Sequence, residues 1–362
     1  MSAVLTRRQF AFASGAAAIG LVIPTSEATS CPATLDRSII PSDLVNPELR
    51  APLSAFLGRF AGFDEFTWSN KELPTIRAGA SKTAPPLATP THIERVIPGL
   101  KGSPPVRVYV INAAGHKDLK PAILHMHGGG YIAGTAAGSI RPLQDVAKEH
   151  DCVIVTVDYR LAPEARFPAS LNDNYAALRW LYDNAAELGA DRHRIAIMGE
   201  SAGGGHAAEL AIAARDRGEV PILLQVLIYP MLDDRTGSSR KLPPYIGKYM
   251  WTAQANRFGW SSLLGVPAGS ARVPAGAVPA RVKSVARLAP AFIGVGSIDL
   301  FAEEDIEYAK RLILAGVPTE LLVVPGAFHG FNGLAPHAGV SKEFDAAWNT
   351  ALRRAFVSKP TA

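Results

Sequence analysis

Arg194-Ile195-Ala196-Ile197-Met198-Gly199-Glu200-Ser201-Ala202-Gly203-Gly204-Gly205 is an apolar run, a Gly-x-Ser-x-Gly turn, and then small residues leading into Ala207, Ala208, Leu210, Ala211, Ala213 and Ala214. That order predicts a strand, a sharp elbow and a helix. A serine lifted above a strand end sits in a strained backbone conformation. The residues two before and two after it must be small, because helix and strand meet closely there. Gly199 and Gly203 fill those places. The elbow exposes the Ser201 hydroxyl beside a helix N-terminus. A lone Gly-x-Ser-x-Gly is weak evidence, so the surrounding chain has to decide its meaning.

Around the elbow, short continuous apolar runs alternate with helical patterns. Ile93–Ile97, Val106–Ile111, Ala122–Met126, Val153–Val157, Leu223–Ile228, Ala291–Val295 and Leu321–Val324 read as strands, several of them fully buried. Ile140–His150, Ser170–Leu188 and Glu303–Ala315 read as helices between them. Such alternation predicts an α/β fold with a mainly parallel, doubly wound sheet. Residues 233–264 interrupt it. They carry Tyr245, Tyr249, Trp251, Phe258 and Trp260, and are expected to form a helical cap insertion over one edge of the sheet. Residues 41–68 form a second helical, aromatic-bearing segment. Ala78–Pro90 reads as a linker, so the expected layout is a cap segment with linker over 41–89 and a catalytic domain over 90–357.

At 362 residues the chain can bury a large core as one α/β domain with embellishments, or as two domains. The formal charge is +5, but no Lys/Arg cluster is interleaved with aromatics, which argues against a nucleic-acid partner. There are two cysteines, Cys31 and Cys152; Cys152 opens an apolar run and reads as a small buried hydrophobe. No metal-spaced Cys/His set exists, and no metal or organic cofactor is expected.

A serine nucleophile needs a base, an orienting acid and donors for an oxyanion. His125-Met126-His127-Gly128-Gly129-Gly130-Tyr131 follows a strand, and its glycines let consecutive N–H groups point into one small volume. Gly128 and Gly129 are the expected oxyanion-hole donors, with the Ala202 N–H as the third. The base should lie on the loop after the last strand, where Pro325-Gly326-Ala327-Phe328-His329-Gly330-Phe331 supplies His329. Of the nine histidines, His127 is expected to brace the glycine loop, and His206 lies in the helix after Ser201. Asp299 follows the strand Ala291–Val295 and is the expected acid. Glu303 and Asp305 compete with it, or supply favourable charge to the first turn of the next helix.

Taken together, the motifs resemble the bacterial hormone-sensitive-lipase-like family of α/β-hydrolase esterases. The matching pieces are His127-Gly128-Gly129-Gly130-Tyr131, Asp158-Tyr159-Arg160-Leu161-Ala162-Pro163-Glu164 with Phe167-Pro168-Ala169, Gly199-Glu200-Ser201-Ala202-Gly203-Gly204, and His329-Gly330-Phe331. They stand in the family's order over roughly residues 90 to 357. The resemblance implies an α/β-hydrolase fold and a cap built from residues 41–68 and 233–264. It also implies that the Asp158–Ala169 piece supports the core. The family's acid usually stands in Asp-Pro-Leu-x-Asp-Glu. Here the stretch is Asp299-Leu300-Phe301-Ala302-Glu303-Glu304, without the proline and with Glu for the second Asp.

The expected function is that of a serine carboxylester hydrolase using Ser201, His329 and Asp299 on a small-molecule ester with a short acyl chain. Two rivals share the fold. A non-catalytic binder would resemble the plant gibberellin receptors, which lose the triad histidine that His329 supplies here. Amidase or acyltransferase chemistry could use the same triad. The oligomeric state is open, and a homodimer is compatible with the sequence.

The first residues read as an address. Arg7 and Arg8 precede an apolar, Ala/Gly-rich run from Ala11 to Ile23, followed by Pro24 and small polar residues. A charged start, a short apolar middle and a small-residue exit make a secretory signal, and the paired arginines resemble a twin-arginine export signal. The run is short for a membrane span, though an uncleaved anchor is the competing reading. Export to the periplasm or beyond is expected, with residues 1–28 removed and no stable membrane insertion afterwards. Mass spectrometry of the mature chain should therefore find a new N-terminus just after Ala28, and replacing Arg7 and Arg8 by lysine should block export. An intact cytosolic chain would contradict this.

Overall fold

The computed structural model describes residues 41–59, 68–80, 84–113 and 119–357. The proposed signal over residues 1–28 and Cys31 lie outside them, as do parts of both N-terminal segments. Eight strands form one sheet: β1 (His92–Ile97), β2 (Val106–Ile111), β3 (Lys120–Met126), β4 (Val153–Asp158), β5 (Ala190–Glu200), β6 (Leu224–Ile228), β7 (Ala291–Gly296) and β8 (Thr319–Val324). Their spatial order is β1-β2-β4-β3-β5-β6-β7-β8. β1 and β2 pair antiparallel with each other, and β2 pairs antiparallel with β4. All pairings from β4 through β8 are parallel.

The apolar runs are continuous because both faces of the sheet are covered, and alternate residues serve opposite cores. On one face Ile123 and Met198 pack with Ile140 and Leu143 of α3 (Ala136–His150) and with Phe344 and Leu352 of α9 (Gly339–Val357), which follows the single-turn α8 (Phe331–Leu334). On the other, Leu124 and Ile197 pack with Leu171 and Leu178 of α4 (Ala169–Asp183), Leu210 of α5 (Ala202–Arg217) and Leu312 of α7 (Ala302–Leu314). Cys152 is fully buried, as its apolar context implies, and burial pushes its thiol pKa up. The Asp158–Ala169 piece ties these layers together: the Arg160 guanidinium holds the buried Asp173 carboxylate of α4 from Nε and Nη2, at 2.9 and 2.8 Å.

The strand and helix expectations within the sheet hold to within a few residues at each end. The N-terminal segment forms α1 (Pro47–Arg59), after a short 3-10 turn at Pro41–Leu44, and α2 (Leu73–Ala80). Thus α2 occupies the start of the stretch read as a linker. The expected helical insertion over 233–264 needs a larger correction. Only α6 (Ala253–Leu264) is helical, capped by Thr252, whose side chain accepts from the Ala255 N–H. Residues 233–252 form an irregular strap. Pro243 and Pro244 lack the N–H that a helix needs, and Gly237 and Gly247 take positive φ. Ion pairs hold this strap instead: Asp233 with Arg235 and Arg240, and Asp234 with Arg281. Arg235 and Arg240 keep the Asp233 carboxylate below its ordinary range despite the opposing effect of burial.

Candidate active site

Ser201 stands where β5 ends and α5 begins, with φ +56° and ψ −120°. This is the left-handed half of backbone space, which a residue with a Cβ rarely occupies. Backbone hydrogen bonds hold it there. The Ser201 N–H donates to Ile228 O at 2.9 Å, and its carbonyl accepts from Gly205 N–H at 3.0 Å and Met231 N–H at 2.9 Å. The two elbow glycines are required by contact. A Cβ on Gly199 would lie 2.3 Å from Gly203 O, and one on Gly203 would lie 2.0 Å from Met126 O. Gly203 is therefore pressed against the end of β3 as well as against its own strand.

His329 sits on the loop that follows β8, and Asp299 on the loop that follows β7. Their side chains form one hydrogen-bonded series with the serine: His329 Nε2 is 2.9 Å from Ser201 Oγ, and His329 Nδ1 is 2.9 Å from Asp299 Oδ2. Asp299 Oδ1 accepts from the Phe301 N–H at 3.0 Å, which leaves Oδ2 for the imidazole. The two loops are tied to each other. Gly326 N–H donates to Ser297 Oγ at 2.9 Å, and a Cβ on Gly296 would lie 2.1 Å from Ala327 O. The N-terminal segment reaches the same loop, with the Asn46 N–H donating to Gly326 O at 2.9 Å.

Of the competing acids, neither reaches the imidazole. Glu303 is 57% exposed and pairs with Arg240 at 3.7 Å. Asp305 is buried without a hydrogen-bond partner among the described residues, and burial raises its pKa well above the carboxylate range. Glu304 serves the structure instead. Its Oε1 accepts from the Leu232 and Asp233 N–H groups at 2.6 and 3.1 Å, fixing the chain just beyond β6.

The glycine loop passes directly beside the serine. A Cβ on Gly128 would lie 3.6 Å from Ser201 Cβ. The loop's carbonyls turn away: Gly128 O accepts from His127 Nδ1 at 2.8 Å, and Gly129 O accepts from the Ile132 and Ala133 N–H groups. No hydrogen bond to another described residue engages the Gly128 or Gly129 N–H, and Ala202 opens α5 directly after Ser201. His127 is buried, stacks on Tyr159 at 4.2 Å and has its pKa pushed down to about 4 by desolvation. It is a neutral brace, as its position suggested. His206 is also buried, and pairs with Glu209 instead of the serine.

Three aromatic side chains enclose His329, and their roles were not assigned from sequence. Phe301 meets the imidazole edge-on at 5.1 Å and Tyr229 at 4.8 Å; Trp251 lies 6.4 Å away. Tyr229 follows β6 at the same sheet edge as the loops carrying Asp299 and His329. That position was the available signal, because strand ends at this edge deliver site residues. Its hydroxyl donates to Asn332 Oδ1 at 3.1 Å. Trp251 is wedged against the glycine loop, so that a Cβ on Gly130 would lie 2.1 Å from its ring, and Trp68 packs on it edge-on at 5.2 Å. Among the described residues there is no cluster of three or more His, Cys, Asp or Glu that could hold a metal ion, and no helix is long and apolar enough to cross a membrane.

A hydroxyl, an imidazole and a buried carboxylate in series, with a glycine loop beside the hydroxyl, can perform acyl transfer. Comparison with known proteins agrees with that chemistry. A family model described as alpha/beta hydrolase fold matches residues 123–333. Carboxylesterase NlhH of Mycobacterium tuberculosis is 33% identical over 326 residues, covering 86% of this chain and 96% of the relative. Ethyl acetate hydrolase of Pseudomonas putida is 34% identical over 214 residues, covering 58% of this chain and 65% of the relative. Among solved structures, Bacterial Heroin Esterase superposes with a TM-score of 0.77 at 33% identity, covering 88% of this chain and 100% of that one.

The hydrogen-bond series separates the candidate acids experimentally. Asp299→Asn should lower kcat by at least ~10²-fold, scaled down from the ~10⁴-fold loss seen when a serine protease loses this carboxylate. Glu303→Gln should change kcat by less than ~10-fold, because that side chain faces solvent and Arg240. Steady-state kinetics of the two folded variants decide, and a crippled Glu303→Gln enzyme would refute the assignment of Asp299.

Proposed function

The chain belongs to the hormone-sensitive-lipase-like family of α/β hydrolases and is a carboxylesterase, and on that premise we propose that it cleaves short-chain acyl esters through Ser201, His329 and Asp299. The observation that carries the reading is the unbroken hydrogen-bond series from Asp299 through His329 to the strained Ser201. Ser201 Oγ attacks the ester carbonyl carbon while His329 Nε2 takes its proton. Asp299 holds the imidazole in the tautomer with hydrogen on Nδ1 and stabilises the imidazolium that forms. The carbonyl oxygen becomes an oxyanion, which the Gly128, Gly129 and Ala202 N–H groups stabilise as its charge develops. The tetrahedral intermediate collapses as His329 gives its proton to the departing alcohol, leaving Ser201 acylated. Water then attacks the acyl carbon as it loses a proton to His329, and the second tetrahedral intermediate collapses as His329 returns that proton to Ser201 Oγ, releasing the carboxylic acid.

The restriction to short acyl chains rests on Trp251. Its ring lies between Gly130 of the glycine loop and His329, with Trp68 packed against its edge. Bulky rings at this place favour a small acyl group on the reacting carbonyl. A relative named for hydrolysis of ethyl acetate, itself a short ester, is consistent with that limit. The signal-like pattern of residues 1–28 supports export of this activity to the periplasm or beyond.

An ester series run from acetyl to long-chain acyl groups tests both parts of the reading. kcat/KM should be highest between acetyl and hexanoyl and fall for longer chains. Ser201→Ala should fold normally and lose at least about 10⁴-fold in kcat. Higher kcat/KM for long chains would overturn the size limit, and retained activity in Ser201→Ala would overturn the nucleophile.

A further inference from the structure

α5 carries two titratable side chains that the acyl-transfer steps leave unused. His206 and Glu209 lie one helical turn apart, both essentially unexposed, with His206 Nδ1 3.0 Å from Glu209 Oε2. Burial pushes His206 down to about 3 and Glu209 well above the usual carboxylate range. Burial thus disfavours charge on both partners, which share one hydrogen bond. His206 Nε2 and Glu209 Oε1 have no partner among the described residues. Two apolar side chains would fill this space at lower cost, because a partly satisfied polar pair is expensive to bury.

The contacts of the imidazole indicate what the pair does. His206 packs against Tyr131 at 4.7 Å and 59°, and against Tyr159 at 4.7 Å and 76°. Both tyrosines hold the glycine loop. Tyr159 donates to His127 O at 2.6 Å and stacks on the His127 ring, which in turn bonds Gly128 O. Tyr131 is part of the loop, takes φ +69° despite its Cβ, and donates from its hydroxyl to Met231 O at 2.8 Å. Met231 is the residue whose N–H bonds the Ser201 carbonyl. Gly205 makes this contact possible, since a Cβ there would lie 2.3 Å from the Tyr131 hydroxyl oxygen.

We infer that His206, oriented by its hydrogen bond to Glu209, is a positioning residue: through Tyr131 and Tyr159 it fixes the Gly128 and Gly129 peptide groups relative to Ser201. The inference rests on the proposed role of those N–H groups as oxyanion donors. A planar ring bonded at Nδ1 keeps one orientation between the tyrosines, whereas a rotatable aliphatic chain fills the volume without setting their planes. A displacement of the loop by about 1 Å is enough to cost on the order of 10²-fold in rate.

The double variant His206→Leu/Glu209→Leu keeps the apolar volume and removes the hydrogen bond. It should fold with a Tm no lower than the native protein, because the buried polar pair is gone. kcat on p-nitrophenyl butyrate should fall about 10- to 100-fold, with KM changed by less than about threefold. Affinity for an alkyl trifluoromethyl ketone, which forms the tetrahedral adduct, should fall by the same factor as kcat/KM. Glu209→Gln can donate its amide N–H to Nδ1 and should keep kcat within about threefold of native. A folded double variant with native kcat and ketone affinity, or a loss confined to KM, would overturn the inference. If the double variant does not fold, Glu209→Leu compared with Glu209→Gln decides, and equal kcat in those two overturns it. Ser201→Ala measured alongside separates the two levels. Persistent hydrolysis there removes the nucleophile assignment, whereas an inactive Ser201→Ala with a fully active leucine variant removes only the positioning role.

Discussion

The close approach of β5, α5 and β3 at the elbow is the constraint on which the site depends. Gly199 and Gly203 let three stretches of backbone meet at distances that no Cβ could enter. With its neighbours fixed this way, Ser201 is left at φ +56°. A non-glycine residue there costs about 1–3 kcal/mol, and it persists only where the surroundings over-determine it. Here the end of β6 and the chain beyond it do so, through Ile228 O and the Met231 N–H. The strain is local, and its result is a hydroxyl held clear of both strand and helix.

A hydroxyl alone does little. The imidazole and carboxylate reach it because adjacent parallel strands end at one edge, so the loops after β7 and β8 lie side by side. The Gly296–Ala327 approach and the Ser297–Gly326 hydrogen bond lock these loops together. Their relative position is thus set by backbone contact more than by the Asp299 and His329 side chains they carry. Phe301, Tyr229 and Trp251 then pack around the imidazole, and such apolar surroundings strengthen electrostatic interactions inside the site. α1 and α2 contribute from outside the sheet. Asn46, just before α1, bonds the loop that carries His329, and Arg77 donates to Ile132 O and Ala162 O beside the glycine loop.

Much of this is legible in the residues because backbone geometry dictates residue type at the elbow and the glycine loop. Gly199, Gly203 and the run Gly128-Gly129-Gly130 are signals of close approach and positive φ. The buried strands announce themselves as unbroken apolar runs. Asp299 could be placed despite its missing proline, since it stands just beyond β7, where a loop reaches the edge; Glu303, a turn later, points elsewhere. Other features left no local pattern. The strap over residues 233–252 is held by ion pairs to Arg235, Arg240 and Arg281, and such pairs depend on tertiary placement. Tyr229 looks like an ordinary core aromatic, and Trp251 like one of several cap aromatics, until the loops are assembled around His329. The Glu209 contact of His206 follows from helical spacing, but its burial between Tyr131 and Tyr159 does not.

The central claim is that the strained Ser201 hydroxyl is the atom that receives the acyl group. Rapid mixing of enzyme with p-nitrophenyl acetate, quenched in acid and followed by intact-mass and peptide-mass measurement, tests it directly. An activated phenyl ester acylates faster than water deacylates, so the intermediate accumulates. The expected result is a burst of p-nitrophenol equal to the enzyme concentration, with a single acetyl group on the peptide that contains Ser201. A burst with the acetyl group on any other residue, or turnover with no acetylated enzyme at any time after mixing, would contradict the account.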